Sequence, residues 1–186
     1  KLPFAELEFM VKRIISSIKL PLSVDIEGGF SRDAHVIADH IERLYNLGVV
    51  GLNIEDSFMR GKRELMPPNE FQNILTTIKS DLAKKNIDIF INVRTDPFLI
   101  NIPNALEESV KRIRLYEQTG IDGIFVPCIE KESDISQVVQ ATKLPINVLC
   151  MPQLPDFETL KRLGVKRISM GNSVHGAMYQ QLKKTV

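Results

Sequence analysis

The sequence has no tryptophan, two cysteines and three histidines in 186 residues. Two cysteines, Cys128 and Cys150, are too few for a disulfide framework, and their spacing is not that of a zinc site. A catalytic thiolate needs an activating base. His35 and His40 lie on one helical stretch and His175 far downstream, so no partner is at hand. Both cysteines are expected to be small buried thiols, and the histidines surface or satisfied core residues. Charge of one sign is also missing: Lys and Arg total 24 against 23 acidic residues, a formal net charge of +1. With no basic stripe interleaved with aromatics, a nucleic-acid partner is not expected. No apolar run approaches the roughly 20 residues that span a bilayer. The N-terminal stretch lacks the pattern of a signal peptide. The expectation is a reduced, cytoplasmic protein without a membrane partner.

What the chain does have is a regular alternation of helix-like and strand-like segments. Phe4 to Ile15, Ala34 to Leu47, Asn69 to Lys84, Ala105 to Gln118, Ser133 to Thr142 and Phe157 to Leu163 carry apolar residues at helical spacing, with Asn69 a candidate N-cap. A final helix is expected from about Ser173. Glycines 48, 120 and 164 stop three of these helices. Between them run Leu22–Glu27, Val49–Ile54, Ile87–Val93, Gly123–Val126, Pro145–Leu149 and Arg167–Met170. These are short apolar strands of the kind buried on both faces of a parallel sheet.

Six βα units in series, residues 1–186, read as one α/β domain. Glu27-Gly28-Gly29-Phe30 lacks the glycine spacing of a dinucleotide fingerprint, which argues against an open doubly wound sheet. Polar and charged residues end several consecutive strands, where barrel enzymes place their chemistry. The expectation is a (β/α)8 TIM-type barrel, here without its first two strands. The chain starts inside a helix, so an N-terminal portion is expected to be absent.

The strand ends supply the candidate chemistry. Asp25 and Glu27 are two apart, and strand alternation would turn both into the barrel mouth. Glu55 and Asp56 end the next strand. Carboxylates without histidine suit Mg2+, or Mn2+, better than zinc. The alternative is a set of solvated acids paired with Arg60, Lys62 and Arg63. Arg94 ends another strand after an apolar run. It can grip a substrate carboxylate with its planar fork, or balance Asp96 or Glu55 as an ion pair. Gly171-Asn172-Ser173 is either an anion-binding turn or a capped tight turn.

In order and spacing, Val24-Asp25-Ile26-Glu27-Gly28-Gly29-Phe30, Gly51-Leu52-Asn53-Ile54-Glu55-Asp56 and Asn92-Val93-Arg94-Thr95-Asp96 resemble the isocitrate lyase and phosphoenolpyruvate mutase superfamily. Gly120 to Pro127 and Leu163 to Gly171 extend the resemblance over nearly the whole chain. It implies a Mg2+-dependent lyase- or mutase-like enzyme that turns over a small 2-oxo acid or enolpyruvate-type substrate through a metal-stabilised enolate. It implies Asp25 as direct metal ligand and Glu27 and Glu55 as ligands mainly through water. Arg94 becomes the substrate anchor and, with Glu55, a catalytic residue; Gly28 and Gly29 are expected beside the substrate. A homo-oligomer, a tetramer by resemblance, is also expected. The lyases' Lys-Lys/Arg-Cys-Gly-His loop is replaced here by Ser57 to Leu65, without cysteine, and the mutase's Lys-Thr-Asn run is missing. Oxaloacetate decarboxylation, phosphonopyruvate-type hydrolysis and a non-catalytic 2-oxo-acid-binding barrel therefore stand as alternatives. Without the superfamily's first strands, this stretch alone is expected to be inactive.

Overall fold

The structure, a computed structural model, describes residues 2–185. The chain opens with α1 (Phe4–Ile15), β1 (Leu22–Asp25), α2 (Ala34–Asn46) and β2 (Val49–Glu55). Next come the strands β3 (Ser57–Arg60) and β4 (Lys62–Leu65), then α3 (Pro68–Lys84), β5 (Phe90–Arg94) and the short α4 (Pro97–Ile100). After α5 (Ala105–Glu117) follow β6 (Gly123–Val126), α6 (Glu132–Gln140), β7 (Ile146–Leu149) and α7 (Phe157–Leu163). Strand β8 (Arg167–Ser169) and helix α8 (Ser173–Thr185) end the described chain.

Six strands pair in parallel in the order β1-β2-β5-β6-β7-β8, each beside the next in sequence. This is the order of a rolled βα series, and the sheet curls as a partial TIM-type barrel. All six sequence-predicted strands are present.

The two faces of that sheet differ, because side chains alternate along a strand. Leu52, Ile54, Ile91, Val93, Ile124, Val126, Ile146 and Val148 share one core with Ile37, Ile41 and Leu44 of α2, Leu75 and Ile78 of α3, and Ile113 of α5. The opposite face is not the apolar surface that the sequence suggested. It carries Asp25, Asn53 and Asn92 in register across three strands. The Asn92 amide donates to Asn53 Oδ1 at 2.9 Å, and Asn147 donates to Ser169 Oγ at 3.0 Å. Buried amides persist because they satisfy one another.

Three local expectations are corrected. Helix α3 starts at Pro68, with Pro67 at the N-cap, so Asn69 lies inside it. Proline at the first helical position loses no hydrogen bond and has the helical φ already set. Residues 57–65 form an antiparallel hairpin, turning at Gly61 (φ +73°), rather than a loop. Strand β1 ends at Asp25, and Glu27 adopts a left-handed backbone (φ +49°), so alternation does not carry from one acid to the other.

Candidate active site at the strand ends

Asp25 and Arg94, at the ends of β1 and β5, line one open cavity of about 590 Å3 with Asn53, Phe125, Leu149 and Arg167. Glu27 and Glu55 line a second, of about 250 Å3, with Gly28, Arg32, Ser57 and Arg63. The backbone ties the acids together: the Glu27 N–H donates to Asp25 Oδ1 at 2.8 Å, and the Glu55 N–H donates to the Glu27 carbonyl at 2.8 Å. The second Asp25 oxygen meets the Asn53 amide only at 3.5 Å, leaving that exposed carboxylate a weakly held face.

Glu55 is occupied differently. Arg63 Nη1 lies 2.5 Å from Glu55 Oε1, and Arg94 Nη1 lies 2.9 Å from Oε2. Arg94 also grips Asp96, through Nε to Oδ1 at 2.6 Å and Nη2 to Oδ2 at 3.1 Å. Arg63 Nη1 is 3.3 Å from Asp96 Oδ2 and donates to Ser57 Oγ at 2.7 Å, while Ser57 donates to Asp96. With all four groups ionised, two carboxylates and two guanidinium ions cancel. Burial pushes the Glu55 carboxyl up, against the pull of Arg94 and Arg63. For Arg94, burial acts downward, but Asp96 and Glu55 outweigh it and raise the guanidinium further.

Asp56, adjacent in sequence, faces the other way and is fully buried. Its Oδ2 accepts from Thr95 Oγ1 at 2.7 Å, Arg112 Nη1 at 3.0 Å and Tyr116 OH at 3.0 Å; its Oδ1 accepts from the Asp96 N–H at 3.0 Å. Burial drives its carboxyl up, with Arg112 and Thr95 opposing. This knot clamps β2, β5 and α5 beneath the mouth and so fixes where Glu55, Arg94 and Asp96 point.

Asp56, which its place at the end of β2 makes a candidate for the acidic set, is structural. Gly29 is also a packing residue. At φ +83°, a Cβ there would lie 2.7 Å from two Ile37 carbons, whereas Gly28 borders the smaller cavity. Cys128 and Cys150 are free thiols, half-buried rather than buried, and burial raises the Cys128 thiol. His35 pairs with Asp81 at 2.5 Å, and His40 stacks on Phe4 and contacts the Gly29 carbonyl at 3.0 Å. His175 packs against Tyr179. Residues 171–173 form an exposed turn in which the Ser173 N–H donates to the Met170 carbonyl. Asp96 is the ion-pair partner that the sequence offers for Arg94, and Ser57 is the member of the cluster that the sequence does not single out. The Arg94-Thr95-Asp96 run was the available signal for Asp96.

Among the described residues, no three His, Cys, Asp or Glu side chains come together as a ready metal site. In kind, the donors fit a hard cation: Asp25 offers a weakly held oxygen at the mouth, and carboxylates are what Mg2+ takes. Glu55 would have to share itself with its arginines.

A sequence model of the phosphoenolpyruvate phosphomutase family matches residues 1–186. An uncharacterized protein of Mycobacterium tuberculosis (strain H37Rv) is 29% identical over 163 residues, covering 88% of this chain and 59% of its own. An oxaloacetate decarboxylase of Ectopseudomonas mendocina (strain ymp) is 27% identical over 181 residues, covering 93% and 59%. The chain thus spans about 59% of the length of these relatives. A solved Burkholderia cenocepacia J2315 protein, described as a candidate phosphonomutase, superposes with a TM-score of 0.90 at 29% identity, covering 98% of this chain and 75% of its own. The fold of a 2,3-dimethylmalate lyase matches with a TM-score of 0.84 at 20% identity, covering 98% and 65%. The chain belongs to the phosphoenolpyruvate phosphomutase family, within the isocitrate lyase and phosphoenolpyruvate mutase superfamily.

Proposed function

We propose that this protein is a Mg2+-dependent, lyase-like enzyme that acts on a small 2-oxo acid and breaks a bond between C3, the carbon next to the 2-oxo group, and its leaving group. The observation that carries the reading is the shared lining of one open cavity by Asp25, Asn53 and Arg94. A hard-cation ligand, a neutral amide and a guanidinium together complement a carboxylate next to a carbonyl. Asp25 would hold the cation directly, with Glu27 and Glu55 reaching it through water. The cation, when bound, supplies polarisation of the 2-oxo group and stabilises the enolate.

The chain's own residues bind and orient. Asp96 fixes the plane of the Arg94 guanidinium through Nε and Nη2. Its Nη1, now on Glu55, is the edge a substrate carboxylate engages. Phe125, Pro127 and Leu149 give the cavity an apolar wall that limits water at the reacting carbon. We also propose a homo-oligomer, a tetramer by family resemblance, working in the cytoplasm.

A second reading, oxaloacetate decarboxylation, is favoured by the decarboxylases among the relatives and by a hairpin without cysteine. The bond between C3 and the terminal carboxylate breaks there, the carboxylate leaves as CO2, the bond's electrons form the enolate, and a proton returns to C3.

The test is C3 proton exchange of pyruvate in D2O with Mg2+, followed by NMR, and pyruvate release from oxaloacetate, in the full-length protein. Chelator-sensitive exchange is expected, and pyruvate release selects the decarboxylase. Arg94→Ala should weaken oxalate binding by about 1.5–3 kcal/mol in calorimetry, the worth of a charge-assisted hydrogen bond. Oxalate binding without exchange makes the protein a non-catalytic binder. Absence of both oxalate binding and exchange overturns the reading.

A further inference from the structure

Arg63 Nη1 sits among three oxygens from three residues: Glu55 Oε1 at 2.5 Å, Ser57 Oγ at 2.7 Å and Asp96 Oδ2 at 3.3 Å. Two of these are carboxylate oxygens, and the Glu55 and Asp96 side chains are only 6% and 0% exposed. A hard cation attracts such oxygens for the same reason a guanidinium does, through charge and donor type. The Arg63 side chain is 31% exposed and is carried by β4 of the hairpin, so it reaches in from outside. Arg94, by contrast, is 16% exposed, ends a sheet strand and is doubly bonded to Asp96. Of the two counter-ions of Glu55, Arg63 is therefore the removable one.

We infer that Arg63 is a built-in substitute for the divalent cation, and that metal and guanidinium compete for the Glu55 carboxylate. The inference rests on the metal part of the proposed function. With Arg63 in place, Glu55 and Asp96 are balanced by two arginines, and a cation arriving at Asp25 gains little from Glu55. When Arg63 withdraws, the cluster keeps one arginine against two carboxylates. The uncompensated charge then lies at the end of β2, where the Glu55 N–H is bonded to the Glu27 carbonyl and the Glu27 N–H to Asp25. Metal loading and release of the hairpin are thus two sides of one equilibrium, and each must favour the other by the same factor.

The experiment titrates Mn2+ into wild type, Arg63→Gln, Glu55→Gln and the double variant, reading free Mn2+ by electron paramagnetic resonance, with circular dichroism to check folding. Arg63→Gln should tighten Mn2+ at least about tenfold, a difference of about 1.4 kcal/mol. In the Glu55→Gln background, the same change should have no effect. Hydrogen exchange across residues 57–66 of wild type should speed up on adding Mn2+. Equal or weaker Mn2+ binding by folded Arg63→Gln, with wild type still binding, overturns the competition and leaves the proposed function standing. If none of the folded proteins binds Mn2+, both this inference and the metal part of the proposed function fall, whatever the C3 exchange shows. Should Arg63→Gln not fold, Arg63→Lys replaces it. Lysine keeps a charge but loses the fork, and a smaller tightening is expected; none overturns the inference.

Discussion

Glu55 and Asp56 are neighbours in the chain and opposites in the fold. Asp56 is sealed under the sheet end by four donors, one each from Thr95, Asp96, Arg112 and Tyr116, including a guanidinium that is itself 3% exposed. Glu55, also buried, is neutralised partly from outside, by an arginine on a hairpin. The difference teaches that a buried carboxylate can be either a rivet or a valve, depending on whether its counter-ion can leave. Removing one member of a permanently buried pair strands a charge, whereas withdrawing a part-exposed partner leaves Glu55 with Arg94.

The contrast can be broken experimentally. Arg112→Met should destabilise the protein by about 3–5 kcal/mol, measured by urea unfolding, because Asp56 loses its charge partner where water cannot reach. Arg63→Met should cost less, about 1–2 kcal/mol in the same assay, since Arg94 stays on Glu55. Equal losses at the two sites would erase the distinction.

A smaller effect sharpens it. The folded state raises the Glu55 pKa above its ordinary 4.5, so the unfolded chain releases that proton first as pH climbs. The contribution of Glu55 to stability is therefore greatest below pH 4.5 and declines as pH rises towards the folded value. The stability of wild type minus that of Glu55→Gln should fall over that window and then level off; a rise would mean that the arginines outweigh burial. Smallest of all, Cys128→Ser should leave C3 exchange unchanged, because burial disfavours the thiolate. A clear loss would return Cys128 to the chemistry.

Much of the fold was legible because strand and helix periods are written in apolar residues. Ile91 and Val93, or Ile124 and Val126, mark strands whatever lies around them. The hairpin was not legible. Arg60-Gly61-Lys62-Arg63-Glu64 reads as a solvated loop, and its order comes from tertiary partners: Met66 N–H on the Asp56 carbonyl, and Arg63 on Glu55. Two-residue alternation does separate Glu55 from Asp56, and that signal was available. It could not place Glu27, whose left-handed backbone breaks the period one residue after Ile26. The arginine partners of Glu55 lay within the alternatives the sequence left open, since Arg63 and Arg94 were both named as possible counter-ions. Their convergence on one carboxylate depends on β2–β5 register, which no local pattern encodes.

The Asp56 knot has a consequence for how such a protein can diversify. It closes beneath the sheet end and takes from residues 57–66 only the Met66 amide, which meets a backbone carbonyl that any residue would offer. The knot is thus insulated from the side chains of this segment, of which Ser57 and Arg63 reach Asp96 and Glu55 and Met66 enters the core. Insertions, deletions and new side chains can be tried at the hairpin's exposed tip, residues 59–62, while the knot holds the ends of β2 and β5 in place. A lineage can change its chemistry there by editing one surface cassette, without renegotiating the core.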